Sequence, residues 1–398
     1  MKKRNYNSLI FVFVMIFIML IISIFCQIFL KNTDTDLLKA YFSSSLFNSN
    51  FDDDKPFSEH YYTNLNKNEK IAYISVINNI KNHPKYIKIP KLSNEEFHNF
   101  YFAVKNDNPD ILCFPDSCSM ISYRTSSFLK LNYRYDTINC NKMSDELNET
   151  VTEIISAIDI EDQYTAELQI HDYIVMNCEY NDLNSNSSNA YGCLVDKNAV
   201  CSGYSRAAML LLKKAGIDSM LVGGMGITSD DQHISHMWNV VWIDNEQYYL
   251  DVTWDDTDSS DNSISHIFFN INEQTLSLDH YDMSVSADCD NFRNNYFVKE
   301  DIIFDYYSDA TLKIVAEKFK SNIADGLNYV ELIFSDDSAF ESAVESMIAD
   351  SSSTSDIYKL VNYLPDNIIV SHVNFVQDKD KRYVRIILTF SEEGNING

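Results

Sequence analysis

Two apolar segments joined by a short polar link constrain the fold of this chain more than any other feature. They run from His236 to Ile243 and from Gln247 to Trp254, and both are rich in Val, Tyr and Trp, which favour β-strands. Asp244 and Asn245 between them are residues typical of tight turns. The pattern predicts an antiparallel hairpin, and therefore a sheet against which the neighbouring elements must pack.

The register of this hairpin decides whether His236 and Asp251 share a face of the sheet. With a two-residue loop at 244 and 245 they are diagonal neighbours, and with a four-residue loop at 242–245 they lie directly opposite each other. Either register brings their Cβ atoms to about 5–8 Å, within reach of an imidazole–carboxylate hydrogen bond. A three-residue loop would place them on opposite faces.

A helix is predicted upstream of the hairpin, and it opens on a cysteine. Apolar residues recur at helical spacing from Tyr204 to Ala215, and Gly216 supplies the left-handed residue that ends the helix. Cys201 stands in the first turn, where the positive end of the helix dipole favours thiolate over thiol. On residue type alone a cysteine is more often an inert core residue. The histidine and aspartate on the hairpin favour a nucleophile with a proton acceptor and an orienting carboxylate.

The N-terminus carries a long apolar run. Basic residues at 2–4 precede an uncharged stretch from Ser8 to Leu30, which is long enough to span a bilayer. Large residues at its end argue against a cleaved signal, so we predict an uncleaved single-pass anchor at 8–30. The flanking charges predict a cytoplasmic N-terminus and an extracellular chain from about residue 32. A lipoprotein signal ending at Cys26 is the alternative.

Charge and cysteine usage narrow the classes of partner and cofactor. The formal net charge of −27 argues against nucleic acid as a partner. The 8 cysteines include no C-x-x-C motif and no Cys/His cluster at zinc spacing, so we expect no metal and no cofactor. Carboxylates at 255–261 lack the regular spacing of a calcium loop. If Cys201 is free, the other cysteines outside the anchor are even in number and could pair in any combination.

The chain divides into segments that differ in composition and pattern. We predict a membrane anchor at 1–31, a stalk at 32–60, an α+β region at 61–140, a catalytic domain at 141–300 and a small α+β domain at 301–398. All the predicted site residues precede residue 285. Deletion from about residue 310 onward is therefore expected to leave the site intact.

Several smaller elements are also predicted from periodicity and turn chemistry. They are helices at 70–82, 312–319 and 339–348, a capping box at 93–96, strands at 220–222, 266–270, 329–334, 368–376 and 383–390, and a polar loop at 223–236.

Three segments resemble the signature blocks of the bacterial transglutaminase-like superfamily. They are 199–206, which contains Cys201, 236–239, which begins with His236, and 249–255, which contains Asp251. The resemblance extends over about residues 145–285. It implies an α+β fold with a papain-like core, in which the nucleophile helix packs on an antiparallel sheet, and catalysis by a Cys–His–Asp triad.

The resemblance also implies acyl transfer through a thioester, by amide hydrolysis, deamidation or cross-linking to an amine. The backbone N–H of Cys201 is the expected oxyanion donor, and the Tyr191 side chain is a weaker candidate that could equally be a core residue. Trp238 could line the substrate groove, although core packing is the commoner role of a tryptophan. The histidines at 171, 233, 266 and 280 are predicted to be packing or surface groups.

The expected substrates, given an extracellular position, are surface proteins or cell-wall peptides. The alternative function is a surface binding module that retains the fold without turnover.

Overall fold

The computed structural model describes residues 15–21, 23, 34–42, 47, 50, 56–115, 117–257, 263–348, 356–365 and 367–391. The chain is a mixed α/β protein that divides into two compact units, residues 1–142 and 143–398. Most of the predicted anchor at 8–30, together with Cys26, lies outside the described residues. Within the described part of the chain, no helix is both long and apolar enough to cross a bilayer.

The first unit packs helices against a three-stranded antiparallel sheet with strand order β1-β3-β2. Its elements are α1 (Thr35–Phe42), α2 (Lys67–Ile77), β1 (Tyr86–Ile89), α3 (Asn94–Asp107), β2 (Ser117–Ser122) and β3 (Ser127–Asn132). The capping box predicted at Ser93 is confirmed, and a second box at Asn66 starts α2 earlier than predicted. Cys113 and Cys140 form a disulfide.

The second unit contains the predicted site. Its helices are α4 (Thr137–Ser156), which carries the chain in from the first unit, α5 (Gln163–Asn177), α6 (Ala190–Leu194), α7 (Cys201–Lys214), α8 (Val252–Asp255), α9 (Glu273–Leu276), α10 (Tyr296–Lys299), α11 (Asp309–Ala324), α12 (Asp337–Ile348) and α13 (Asp356–Val361).

The strands of the second unit form two four-stranded sheets, β8-β7-β6-β9 and β10-β11-β13-β12, and a short parallel pair, β4-β5. The strands are β4 (Glu179–Tyr180), β5 (Asn198–Ala199), β6 (Asp218–Ile227), β7 (His233–Ile243), β8 (Glu246–Leu250), β9 (His280–Tyr281), β10 (Ile303–Phe304), β11 (Tyr329–Phe334), β12 (Val370–Asp378) and β13 (Tyr383–Phe390).

Strands β7 and β8 form the predicted hairpin. Ile243 pairs with Glu246, so the loop contains only Asp244 and Asn245. Both loop residues have positive φ, 53° and 65°, as the mirror-image turns of two-residue hairpins require. The two-residue register considered from the sequence is therefore confirmed.

The second strand of the hairpin ends four residues before its predicted end, at Leu250. Asp251 Oδ1 accepts hydrogen bonds from the N–H groups of Thr253, at 3.1 Å, and Trp254, at 3.3 Å. The carboxylate therefore caps the short helix α8, and this local bonding ends the strand.

The prediction of a polar loop at 223–236 is wrong over most of its length, because β6 continues to Ile227 and β7 begins at His233. A Cβ at Gly224 would lie 2.6 Å from the Trp238 ring, and one at Gly226 would lie 2.6 Å from the Trp254 ring. These glycines are strand residues that leave room for two indoles, which is a different use of glycine from a turn.

The segment at 266–270 is not a strand, contrary to prediction. Its backbone turns, with the Phe269 N–H bonded to the His266 carbonyl at 3.1 Å and Asn270 at a φ of 52°. The Asp255 carboxylate accepts from the Phe268 N–H at 3.1 Å. The buried Asp255 side chain thus satisfies a backbone N–H group that a neighbouring strand would otherwise bond.

The two large sheets share one hydrophobic core. Val240 and Tyr249 of the first sheet belong to the same cluster as Phe319, Leu332 and Leu388 of the C-terminal elements. Burial of an aliphatic or phenyl side chain of this size contributes about 1.5–3 kcal/mol. The shared core leads us to expect that deletion from residue 310 would disturb the first sheet, against the expectation from the sequence.

The predicted C-terminal elements are confirmed, with strands β11 and β13 at the predicted bounds. The predicted helices at 312–319 and 339–348 and the predicted strand at 368–376 correspond to α11, α12 and β12, with ends displaced by a few residues.

Candidate active site

Cys201 is the first residue of α7, as the sequence predicts, and it is partly exposed. Val200 at the N-cap position offers no side-chain hydrogen bond, so no capping side chain occupies the first-turn N–H groups. A Cβ at Gly203 would lie 2.4 Å from the carbonyl oxygen of Ser187, so only glycine fits the close approach in this turn. The helix therefore presents a thiol at an uncapped, positive end.

Ser205 connects the helix that carries Cys201 to the sheet. Its hydroxyl lies 2.9 Å from the carbonyl oxygen of Cys201 and 2.8 Å from that of Met237 on β7, and can donate to either. The Asn239 side chain donates to the Ser205 carbonyl at 3.1 Å. The first turn of α7 is thereby held in register with the strand that carries His236.

His236 and Asp251 make the contact that the hairpin predicts. His236 Nε2 lies 2.6 Å from Asp251 Oδ2, and both side chains are buried. Burial acts to lower the pKa of His236, but the Asp251 charge and hydrogen bond outweigh it and raise that pKa to about 10, with a hydrogen bond to Cys201 acting in the same direction. Because Asp251 engages Nε2, Nδ1 is the ring nitrogen left for the thiol.

A second histidine shares the Asp251 carboxylate, which the sequence did not lead us to expect. His280 Nε2 is 3.2 Å from Asp251 Oδ2, and its Nδ1 is 2.6 Å from Asp279 Oδ1, while Lys381 forms an ion pair with Asp279. We call His236, Asp251, His280, Asp279 and Lys381 the His236 network. Burial acts to raise the pKa of Asp251, but the two histidines hold it well below its usual range.

Two indoles hold the His236 ring. The Trp254 ring lies 4.8 Å from it at 25°, and the Trp238 ring lies 5.8 Å from it at 27°. Trp238 is fully buried, so it has no exposed surface to offer a substrate in this structure. Its position matches the core-packing alternative, and its contact with His236 restricts the orientation of the imidazole.

The Tyr191 hydroxyl already donates a hydrogen bond to another side chain and is therefore not free to bind an oxyanion. It donates to Glu146 Oε2 at 2.7 Å, and Tyr191 itself lies near the start of α6. A role in oxyanion binding would require this bond to open, and it stays a prediction.

Arg206 is a buried cation beside the nucleophile that we did not single out from the sequence. Its Nη1 donates to the Ser202 carbonyl at 3.0 Å. Burial lowers the pKa of Arg206 to about 10, and the negative charge of Cys201 acts in the opposite direction. The guanidinium thus places a second positive charge near Cys201, in addition to the positive end of the helix dipole.

A cleft of about 700 Å³ borders the His236 network, with Trp254, Asp279 and Lys381 in its wall. Its lining carries many more carboxylates than cations: Asp231, Asp256, Asp279, Asp378 and Asp380 against Lys381. Such a cleft favours ligands with positive charge.

Two clusters in the described part of the chain have the composition of a metal site. One is His236, Asp251 and His280, in which the carboxylate already bonds both imidazoles. The other is His171, Asp172 and His266, which lies outside the His236 network. Part of the acidic loop at 255–261 lies outside the described residues.

Comparison with known proteins identifies the region that holds the site. Residues 152–252 match the model of the Transglutaminase-like superfamily, and this range includes Cys201, His236 and Asp251. The resemblance to that superfamily is therefore confirmed, and this region forms a transglutaminase-like core. No curated protein sequence matches the chain.

Two solved structures are similar to parts of the chain. One, described as a TGase, is 13% identical, with 42% of this chain and 50% of that chain covered and a TM-score of 0.24. The other, described as a "Putative Cysteine Protease" from Cytophaga hutchinsonii, is 16% identical, with 35% of this chain and 62% of that chain covered and a TM-score of 0.24. The chain thus spans about half to three fifths of the length of these proteins.

Proposed function

We propose that the protein is a transglutaminase-like cysteine enzyme that acts on amide bonds through a thioester. Cys201 is the nucleophile, His236 its proton acceptor and donor, and Asp251 the orienting carboxylate. One observation carries the proposal: His236 Nε2 lies 2.6 Å from Asp251 Oδ2, and Cys201 is near enough to the same ring to help raise its pKa. A ring held in this way keeps its remaining nitrogen directed at the thiol.

The proposed reaction has two half-reactions. The Cys201 thiolate attacks the amide carbon, a C–S bond forms, and the C–N bond breaks as the His236 imidazolium gives its proton to the leaving amine. The backbone N–H of Cys201 donates a hydrogen bond to the transient oxyanion. Water or a primary amine then attacks the thioester carbon and gives its proton to His236; a C–O or C–N bond forms, the C–S bond breaks, and Cys201 leaves as the thiolate beside the imidazolium.

The cleft beside the network suggests the class of substrate. Its carboxylates outnumber its single lysine, so we infer a peptide or protein with positive charge near the reacting amide, or a primary amine as the acceptor. Peptides of equal length with lysine or glutamate beside the glutamine should differ in KM, and the difference should shrink with added salt. Equal KM values would contradict this inference.

An extracellular, membrane-anchored position is part of the same proposal. It rests on the sequence pattern at 8–30, and it is supported by the Cys113–Cys140 disulfide, since disulfides persist mainly in oxidising compartments. Protease added to intact cells should then remove the chain beyond the anchor. Protection in intact cells, with digestion after lysis, would contradict the topology.

Turnover separates an enzyme from a binding module. We would offer the purified chain glutamine peptides and wall peptides, with and without a primary amine, and follow ammonia release, cross-linking and cleavage by mass spectrometry. The Cys201→Ala variant is the control for every reaction. If no substrate turns over and iodoacetamide labels Cys201 no faster than a model thiol, the binding-module alternative replaces the enzyme.

A further inference from the structure

Two histidines converge on one carboxylate oxygen outside the His236 network. His171 Nδ1 lies 2.9 Å and His266 Nε2 lies 3.0 Å from Asp172 Oδ1. One possible ligand atom from each residue lies within 4.8 Å of the other two. Both imidazoles are buried, whereas the Asp172 side chain is 33% exposed, so the carboxylate side of the cluster is the side open to solvent.

The other nitrogen of each ring meets a second buried carboxylate. His171 Nε2 is 3.2 Å from Asp255 Oδ2, and His266 Nδ1 is 2.5 Å from Glu331 Oε2. An ionised carboxylate only accepts hydrogen bonds, so each imidazole carries a proton on the nitrogen that faces it. Asp172 accepts hydrogen bonds in the same way, so without a metal ion the nitrogens that face it also carry protons, and a bound metal ion would displace these two protons and take up the lone pairs. The same carboxylate–histidine arrangement surrounds metal-ligating histidines in proteins.

These outer carboxylates are themselves held in place. Glu331 Oε1 accepts from the Tyr383 hydroxyl at 2.7 Å and from the His266 N–H at 3.1 Å. Asp255 accepts from the Phe268 N–H at 3.1 Å. The two rings consequently have fixed orientations, as a preformed ligand set requires. We call His171, Asp172, His266, Asp255 and Glu331 the His266 network.

The His266 network carries more negative than positive charge when its imidazoles are neutral. Asp172, Asp255 and Glu331 bring three negative charges, and Arg385, the cross-strand neighbour of Glu331, brings one positive charge. One divalent ion would balance the two negative charges that remain when the imidazoles are neutral. Protonation of both imidazoles would balance them as well, so the experiment has to separate these two states.

We propose that His171, Asp172 and His266 bind a divalent metal ion, with Zn²⁺ as the ion that best suits two imidazole nitrogens, one carboxylate oxygen and an open fourth position. Zinc bonds of about 2.0–2.2 Å place tetrahedral ligand atoms about 3.4 Å apart. The separations of 2.9 and 3.0 Å would therefore have to widen by about half an ångström. The site ties α5 to the segment after α8, and through Glu331 to β11.

The sequence predicted no metal site because the residues of this cluster are far apart along the chain. Asp172 and His266 are 94 residues apart, far outside the intervals of zinc motifs. Only the folded chain brings them together.

Metal content of the full chain tests the proposal. The protein is purified in the Cys201→Ser form, so that the exposed thiol cannot bind metal, and stripped with a chelator. It is then titrated with Zn²⁺ and with Co²⁺ as a spectroscopic probe. We expect one ion per chain, a cobalt spectrum without a thiolate charge-transfer band, and a Tm that rises with Zn²⁺.

Three matched variants locate the ion. Asp172→Asn should weaken Zn²⁺ binding at least tenfold, and Glu331→Gln, which leaves the ligands in place, should weaken it about tenfold to a hundredfold. His280→Gln, in the other cluster, should leave the stoichiometry and affinity unchanged. Circular dichroism verifies that each variant is folded.

Two results would overturn the proposal. One is a folded protein that binds no Zn²⁺ or Co²⁺ at micromolar concentrations, which would mean that the imidazoles are charged by protons. The other is an ion whose binding is lost in His280→Gln and kept in Asp172→Asn, which would place it in the His236 network.

Discussion

The His236 network and the His266 network are built from the same groups and differ in what the histidine nitrogens meet. In the His236 network, Asp251 engages one nitrogen of His236 and leaves the other for Cys201, whereas both nitrogens of His280 meet carboxylates. In the His266 network, carboxylates occupy both nitrogens of His171 and of His266. A buried histidine paired with aspartate is therefore not enough to mark a catalytic site, because the group at the second nitrogen determines what the ring can do.

The two networks also share a dependence on the C-terminal elements. Lys381, in the turn between β12 and β13, pairs with Asp279 of the His236 network, and Glu331 of β11 bonds His266. Deletion of residues from 310 onward removes both partners as well as half of the shared core. We expect this deletion to have the largest effect, with little folded protein and loss of rapid Cys201 labelling. Fractionation and iodoacetamide labelling of the truncated chain would measure it, and a folded, fully reactive truncation would show that the networks stand without these contacts.

Replacement of one histidine in each network separates their roles. His236→Ala should lower turnover by roughly 10²–10⁴-fold, because it removes the proton acceptor and donor. The labelling rate of Cys201 at pH 7 should fall roughly tenfold or more, since an ordinary thiol is only a few per cent thiolate there. His266→Gln, measured on the folded fraction, should change the labelling rate less than about threefold. Equal losses of labelling rate in both variants would show that the two networks do not differ in their effect on Cys201.

Replacement of one aspartate in each network is a finer test. Asp251→Asn keeps a cap for α8 but loses the charge that orients and stabilises the His236 imidazolium, so kcat should fall by roughly a hundredfold or more with little change in KM. Asp255→Asn should change kcat less than about threefold. Steady-state kinetics at fixed salt would measure both. A larger loss in Asp255→Asn would point to coupling between the networks.

The pH dependence of stability has the smallest expected effect. The pKa of His236 is raised from about 6.5 in an unfolded chain to about 10, so its contribution is fully present below about pH 6.5 and is lost as the pH rises through about 10. The pKa of Asp251 is depressed, so its contribution to stability is present above about pH 4 and is lost as the pH falls below that value. Between pH 6.5 and 10, wild type should lose up to a few kcal/mol more unfolding free energy than His236→Gln. If the unfolding free energies of wild type and His236→Gln, measured with urea, changed in parallel with pH, the assignment of a charged His236 would be contradicted.

Local patterns predicted the parts of this structure that depend on neighbours in sequence. The hairpin register followed from a turn of two residues, and the extent of α7 followed from periodicity after Cys201 and from the helix-ending Gly216. The early end of β8 was missed because a side-chain cap at Asp251 overrode strand propensity. The glycines at 224 and 226 predict a loop when considered alone, because the indoles that fill the space beside them come from later in the chain.

Contacts at long range were beyond such patterns. His280 reaches Asp251 across the sheet, through pairing of β9 with β6, and His266 reaches Asp172 over 94 residues. No periodicity or motif spacing encodes a contact of that kind, so the sequence predicts these histidines to be packing or surface groups.

The position of Glu331 and Lys381 also sets an order of events during synthesis. Glu331 follows His266 by 65 residues, and Lys381 follows Asp279 by 102. Because a chain emerges N-terminus first and distant contacts form late, Cys201, His236 and Asp251 emerge well before the residues that complete their surroundings. We expect Cys201 in the nascent chain to stay slow to react until the last strands pair. Labelling of Cys201 in chains arrested near residue 300 should be slow, and equal labelling of arrested and finished chains would exclude this delayed maturation.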